Sequence, residues 1–265
     1  MFFTVAISTI GSFLGAYIIY VVTLHRFQDR LIFYPPKADL LNYRKLDKFS
    51  EKLLTTSGFT LQGWTIQVEH TVRKRPFHLL YFGGNAQEAS AILPLLDGFG
   101  FDLITTFNYR GYGLSDGNPC EKSLYSDALE IYDWVGIKYP ESNIIVMGHS
   151  LGSAIAGHVA RFRNPEKIIL STPLYSLERI AKERFFVPGS IVKHKFSLFE
   201  STKEMDSKVL ALIAKGDAVI PNSHSYNTLE NIVNIISAVE IPEVDHNSLI
   251  YSDAAKKAIR NFLSI

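Results

Sequence analysis

The sequence predicts an α/β fold, a mostly parallel central sheet covered by helices on both faces. Three observations predict it. Short apolar runs recur at residues 76–82, 101–109, 144–147, 167–170, 209–214 and 236–241. Stretches with helical spacing lie between most of them, as with Leu124, Ala128, Ile131, Tyr132 and Val135. Several runs are apolar throughout, the pattern of strands buried on both sides. Ahead of them, residues 51–70 predict a hairpin turning at Ser57-Gly58, and a helix is expected to close the chain over 249–262. With 265 residues, 47% of them hydrophobic and 20% charged, the chain can bury one full core.

The N-terminus departs from that pattern. Residues 2–24 read FFTVAISTIGSFLGAYIIYVVTL, 23 residues without a formal charge. As a helix the run reaches about 34 Å, enough to cross the hydrocarbon core of a bilayer with some tilt. The alternatives are a buried core helix, usually shorter and amphipathic, and a cleaved secretory signal, usually led by positive charge. The reading adopted is a retained single-pass anchor in contact with membrane lipid. His25, Arg26, Arg30 and Lys37 follow it, partly offset by Asp29. Cations on that side predict that the rest of the chain lies in the cytoplasm. Pro35-Pro36 would stop a helix carrying on from the membrane. The expected partition is an anchor over 1–25, a juxtamembrane connector over 26–38 and one catalytic domain over 39–265.

A net charge of +1 points to no nucleic-acid partner and to no steering of a strongly charged substrate. Cys120 is the single cysteine, which excludes an internal disulfide and a cysteine metal cluster.

Chemistry enters at residues 143–157, NIIVMGHSLGSAIAG. A strand runs into Gly148-His149-Ser150-Leu151-Gly152, a G-x-S-x-G pattern on a strand-to-helix turn. Such a turn is tight enough that its flanks must lack bulk, and it lifts the serine hydroxyl clear of the sheet. The amide of Leu151 then faces a developing oxyanion. A serine needs a base to take its proton, and the base needs an acid to fix its orientation. The chain order expected on such a sheet is Ser, then Asp or Glu, then His. Asp217 follows the run at 209–214, and His246 follows the run at 236–241, so both are expected at the sheet edge that carries Ser150.

Rival assignments are weaker. Asp245, the immediate neighbour of His246, is expected to point elsewhere and brace its loop. His149 lies inside the elbow and cannot face Ser150 from the right side. His70, His78, His158, His194 and His224 sit where structural histidines are common, and His25 belongs to the membrane boundary. The second oxyanion donor is expected from YFGGNAQEAS, where Gly83 and Gly84 allow close approach and Asn85 offers its amide. The alternative there is a plain glycine turn before a helix.

Together these residues resemble the α/β-hydrolase superfamily over essentially everything after the anchor. NYRGYGLSDGNPCEKSLYSDALEIYDWV resembles a signature of one branch, which includes membrane-associated protein depalmitoylases and many bacterial hydrolases. Arg110, Gly111, Tyr112, Gly113, Ser115 and Gly117 match it; in that branch they form a loop beside the active site. The branch usually shows His-Gly-Asn-Ala at the oxyanion loop, whereas this chain has Gly83-Gly84-Asn85-Ala86. The segment after 167–170 is where such enzymes insert a lid, here short, and Phe185, Phe186, Val187 and Phe196 are read equally as acyl-channel lining or ordinary packing.

The expectation is therefore a membrane-anchored serine hydrolase acting on carboxylic esters or thioesters of lipid-like or acylated small-molecule substrates. Ser150 is the expected nucleophile, His246 the base and Asp217 its orienting acid. The amides of Asn85 and Leu151 form the oxyanion hole, and no metal or organic cofactor is called for. The alternatives are a serine peptidase or amidase with the same triad, and a non-catalytic membrane-bound binding protein of the same fold.

Overall fold

The computed structural model describes residues 2–68 and 73–264, and of residues 2–8 the backbone alone. His70 lies outside the described residues. The elements in chain order are α1 (Phe2–Ile32), α2 (Leu40–Lys45), β1 (Ser50–Leu54), β2 (Thr60–Gln67), β3 (Phe77–Phe82), α3 (Ala89–Ile92) and β4 (Leu103–Phe107). There follow α4 (Glu121–Lys138), β5 (Asn143–His149), α5 (Leu151–Arg163), β6 (Lys167–Ser171), α6 (Leu177–Phe185) and α7 (Leu198–Thr202). β7 (Lys208–Ala214), α8 (Asn222–Leu229), β8 (Ile235–Ile241) and α9 (Asp253–Leu263) complete the chain.

The strands form one eight-stranded sheet in the order β1-β2-β4-β3-β5-β6-β7-β8. The expected hairpin pairs β1 with β2 antiparallel; β2 also meets β4 antiparallel, and every later pair is parallel. Because side chains alternate along a strand, the apolar runs feed two cores at once. Leu80, Phe82, Val146, Ile168 and Leu170 face α4 and α5, meeting Leu124, Ile131, Ile155 and Val159. Leu79, Tyr81, Ile145, Met147 and Ile169 face the other way, onto Ile92, Leu96, Ile259 and Phe262. Each such buried side chain contributes about 1.5–3 kcal/mol by leaving water. Near-continuous hydrophobicity in β3, β5, β6 and β7 is the direct result of being covered twice.

α1 runs past the uncharged stretch, through Arg26 and Arg30, to Ile32. It is long and apolar enough to cross a membrane, and none of its apolar window from Thr9 on is buried by the rest of the chain. The extended segment carrying Pro35-Pro36 follows, and Lys37 bridges to Gly113. Phe33, at the turn out of the helix, is buried edge-on against Phe196 and His194.

α4 carries the ion pair that fixes the motif loop between β4 and α4. Arg110 donates to Asp127 through Nε at 2.7 Å and Nη2 at 2.5 Å, with both side chains more than nine-tenths buried. The hydrogen bonds to Asp127 raise the guanidinium's pKa above its ordinary value. Breaking a buried pair leaves one uncompensated charge, which costs far more than removing both. We expect Arg110→Met to lose about 3–5 kcal/mol in denaturant unfolding, and Arg110→Met/Asp127→Leu to recover most of that loss.

His78, fully buried on β3, makes a 2.7 Å hydrogen bond with Thr105 Oγ1. Burial pushes its pKa from 6.5 down to about 4. The unfolded chain therefore takes up a proton that the folded chain refuses. Stability from this group is complete above about pH 6.5 and falls as pH drops toward 4, reaching a loss of about 2 kcal/mol near pH 5. Thermal midpoints followed from pH 7 to 5 should fall, and should fall less steeply in His78→Gln.

Candidate active site

At the end of β5 the chain enters α5 through one residue. Ser150 holds φ 55° and ψ −120°, a backbone conformation that L side chains rarely adopt. The strain is enforced by packing on both sides. A Cβ on Gly148 would collide with the Gly152 carbonyl and Ala156, and one on Gly152 would collide with the Phe82 and Gly83 carbonyls. Hydrogen bonds lock the turn: Ser150 N donates to Ser171 O at 2.9 Å, and Ser153 Oγ donates to Ser150 O at 2.6 Å.

Asp217 and His246 arrive from β7 and β8 as expected. Ser150 Oγ lies 2.9 Å from His246 Nε2, and His246 Nδ1 lies 2.7 Å from Asp217 Oδ2. The other carboxylate oxygen accepts from the amides of Val219 and Ile220 at 2.8 and 2.7 Å, so the acid cannot swing away. With the carboxylate accepting at Nδ1–H, Nε2 is left to accept the serine proton. His246 and Asp217 side chains are 8% and 2% exposed, sheltered from competing water.

The rivals point elsewhere. Asp245 accepts from the amides of Asn247 and Ser248 and from Ser248 Oγ, bracing its own turn. His149 bonds Ser171 Oγ at 3.0 Å, and burial, with the neighbouring His246 adding to it, pushes its pKa down to about 3. His158 stacks on Tyr125, His194 meets Asp29, His224 meets Glu183, and His25 meets the Ile191 carbonyl.

A model of the alpha/beta hydrolase fold matches residues 80–173. The chain is 27% identical over 197 residues to the alpha/beta hydrolase domain-containing protein aho-3 of Caenorhabditis elegans, covering 71% of this chain and 58% of that protein. Lysophosphatidylserine lipase ABHD12 of Gallus gallus is 28% identical over 168 residues, covering 54% and 44%. The chain thus spans about half the length of these relatives. The solved structure of the Pyrococcus furiosus esterase Pf2001 superposes with a TM-score of 0.66 at 17% identity, covering 88% of this chain and 97% of that one.

The chain has the alpha/beta-hydrolase fold. Within that fold, the Gly83–Glu88 loop is held by residues that no local motif announces. Tyr109 donates to the Gly83 carbonyl at 2.7 Å, and Tyr112 to the Asn85 carbonyl at 2.5 Å. Burial raises both phenol pKa values well above 10, so they stay protonated donors. Gln87 Oε1 accepts from Tyr81 and from the Gly84 amide, and it occupies the space that a side chain at position 83 would need. Gln87 and the two tyrosines therefore brace the loop where the related branch carries a histidine. Leu151 opens α5, where a helix amide has no partner within the helix. Asn85 and Leu151 both line the cavity that contains Ser150 and His246.

That cavity measures about 720 Å³. Its far walls are the cap residues Leu177, Ile180, Phe185 and Val187 and, unforeseen from the sequence, Leu24, Gln28, Leu31 and Ile32 of α1. Of the four residues that the sequence leaves open between channel lining and packing, Phe185 and Val187 line it. Phe196 is fully buried core packing, and Phe186 points outward, 78% exposed. Among the described residues no group of three or more metal-ligating side chains occurs.

The strain at position 150 is testable apart from any chemistry. Ser150→Ala and Ser150→Gly both remove the hydroxyl, but only glycine relaxes the turn. Ser150→Gly should be the more stable of the two by about 1–2 kcal/mol in chemical denaturation.

Proposed function

We propose that this hydrolase is a membrane-anchored serine enzyme that cleaves carboxylic ester or thioester bonds of lipid-like or acylated substrates. The observation that carries the reading is the unbroken relay from Ser150 Oγ through His246 to Asp217 at 2.9 and 2.7 Å. Ser150 Oγ attacks the substrate carbonyl carbon as His246 Nε2 takes its proton. Asp217 holds the imidazole's orientation and stabilises the imidazolium. The Asn85 and Leu151 amides stabilise the oxyanion, each by about 3 kcal/mol. Collapse expels the alcohol or thiol, which receives the proton from His246 and leaves Ser150 acylated. Water then attacks the acyl carbon, giving its proton to His246, and the acid departs as Ser150 regains that proton.

The relatives support ester chemistry, one being a lipase and the structural neighbour an esterase. Anchoring is supported by the exposed apolar α1, and the cations that follow its uncharged run support a single pass with the 39–265 domain in the cytoplasm. A cavity walled by leucine, isoleucine and phenylalanine suits an acyl chain better than a polypeptide. The intact relay counts against a purely binding role.

A fluorophosphonate probe should label the detergent-solubilised full chain, and the label should vanish in Ser150→Ala and fall about 10⁴-fold or more in His246→Ala. A panel of acyl esters and thioesters then ranks the leaving groups. Absence of labelling in the folded wild-type chain would refute the reading.

A further inference from the structure

α1 does more than run beside the domain. Four features meet at one place on it. Leu24 is the last residue of the uncharged run and also a wall of the cavity holding Ser150, with Gln28, Leu31 and Ile32 continuing that wall. The cap is tied to the same helix: Tyr17 and Tyr20 donate to the Phe186 and Phe185 carbonyls at 2.8 and 3.0 Å. Gln28, 8% exposed, donates to Ile191 O and accepts from Lys193 N, both at 2.7 Å. Phe186, whose carbonyl accepts from Tyr17, is 78% exposed in a left-handed conformation at the end of α6.

Depth along the helix gives these contacts meaning. About 20 residues of helix cross the hydrocarbon core. Counted from Phe2, the far boundary falls between Tyr20 and the first cation, Arg26. Tyrosines concentrate at that boundary, where an apolar ring meets a wet hydroxyl. The cap tip held by Tyr17 and Tyr20 therefore reaches the leaflet, and the wall formed by Leu24 and Phe185 sits at the level where acyl chains end and headgroups begin. An exposed phenylalanine that is unfavourable in water is favourable there.

We infer that α1 is one wall of the acyl-binding site, and that a membrane lipid ester delivers its acyl chain sideways from the leaflet, between α1 and the cap, to Ser150. This rests on the serine-hydrolase reading. The lipid's carbonyl need rise only to the headgroup level to meet the nucleophile, while its chain exchanges bilayer for cavity without crossing water.

The test uses the full chain reconstituted in phosphatidylcholine vesicles. Two probes are compared: a short ethyl fluorophosphonate, and a hexadecyl fluorophosphonate with a photoreactive diazirine along its chain. Both should form an adduct at Ser150. On illumination, the long probe should cross-link to α1 around Leu24 and Leu31 and to the cap around Phe185–Val187, located by peptide mass spectrometry. Leu24→Lys should slow labelling by the long probe about tenfold more than labelling by the short one, because it places a charge in the chain's path. Ser150 adducts with cross-links confined to other walls, and an unchanged ratio in Leu24→Lys, would overturn the lateral route while leaving the serine hydrolase standing. Failure of both probes to label folded protein would overturn both.

Discussion

Backbone contact between β5 and α5 is the constraint on which the rest of the molecule depends. Gly148 and Gly152 let the two elements meet with no side chain between them, and Ser150 is left in a conformation that an unrestrained chain would abandon. That strain is stable only because the sheet around it is covered on both faces and cannot yield. The two cores are thus more than a source of stability. They keep a serine hydroxyl within hydrogen-bond reach of an imidazole that comes from nearly a hundred residues further along the chain.

A similar logic extends outward from the turn. The loop facing Ser150 opens on Gly83 and Gly84, which lend it no side-chain packing, and within it only Gln87 ties back to the Gly84 amide. Its rigidity is borrowed from Tyr109 and Tyr112, which belong to the loop that Arg110 fastens to Asp127 on α4. A buried ion pair distant from the reacting atoms thereby reaches the two carbonyls that orient the Asn85 amide. The neutral His149 beside the relay adds no competing charge at working pH.

Much of this was legible in the sequence where the signal is local. Gly148 to Gly152 announces its turn because the steric demand falls on adjacent residues, and Asp217 and His246 could be placed because each follows a strand whose end fixes its position. The brace around Gly83 was not legible, since it runs between side chains brought together only by sheet order. Phe185 and Phe196 look alike in sequence, yet one lines the cavity and the other fills the core, because the path of the chain after α6 decides which way each faces. The part taken by α1 in the cavity was hidden for another reason. Uniform hydrophobicity records that a helix avoids water, not which of its faces meets protein and which meets lipid.

The hydrogen bonds at the end of α1 bear on how the chain can be divided. Asn85 Nδ2 donates to the Ile32 carbonyl, and the Tyr34 amide donates to the Asn85 carbonyl, so the helix ends on the Gly83–Glu88 loop itself. A border drawn near residue 38 separates two stretches of composition but not two independent bodies. Cutting there would open the cavity along one side and release the loop from one of its fastenings. The helix is not interchangeable with another of equal length and hydrophobicity, and a chain given a foreign helix there would have to rebuild its pocket.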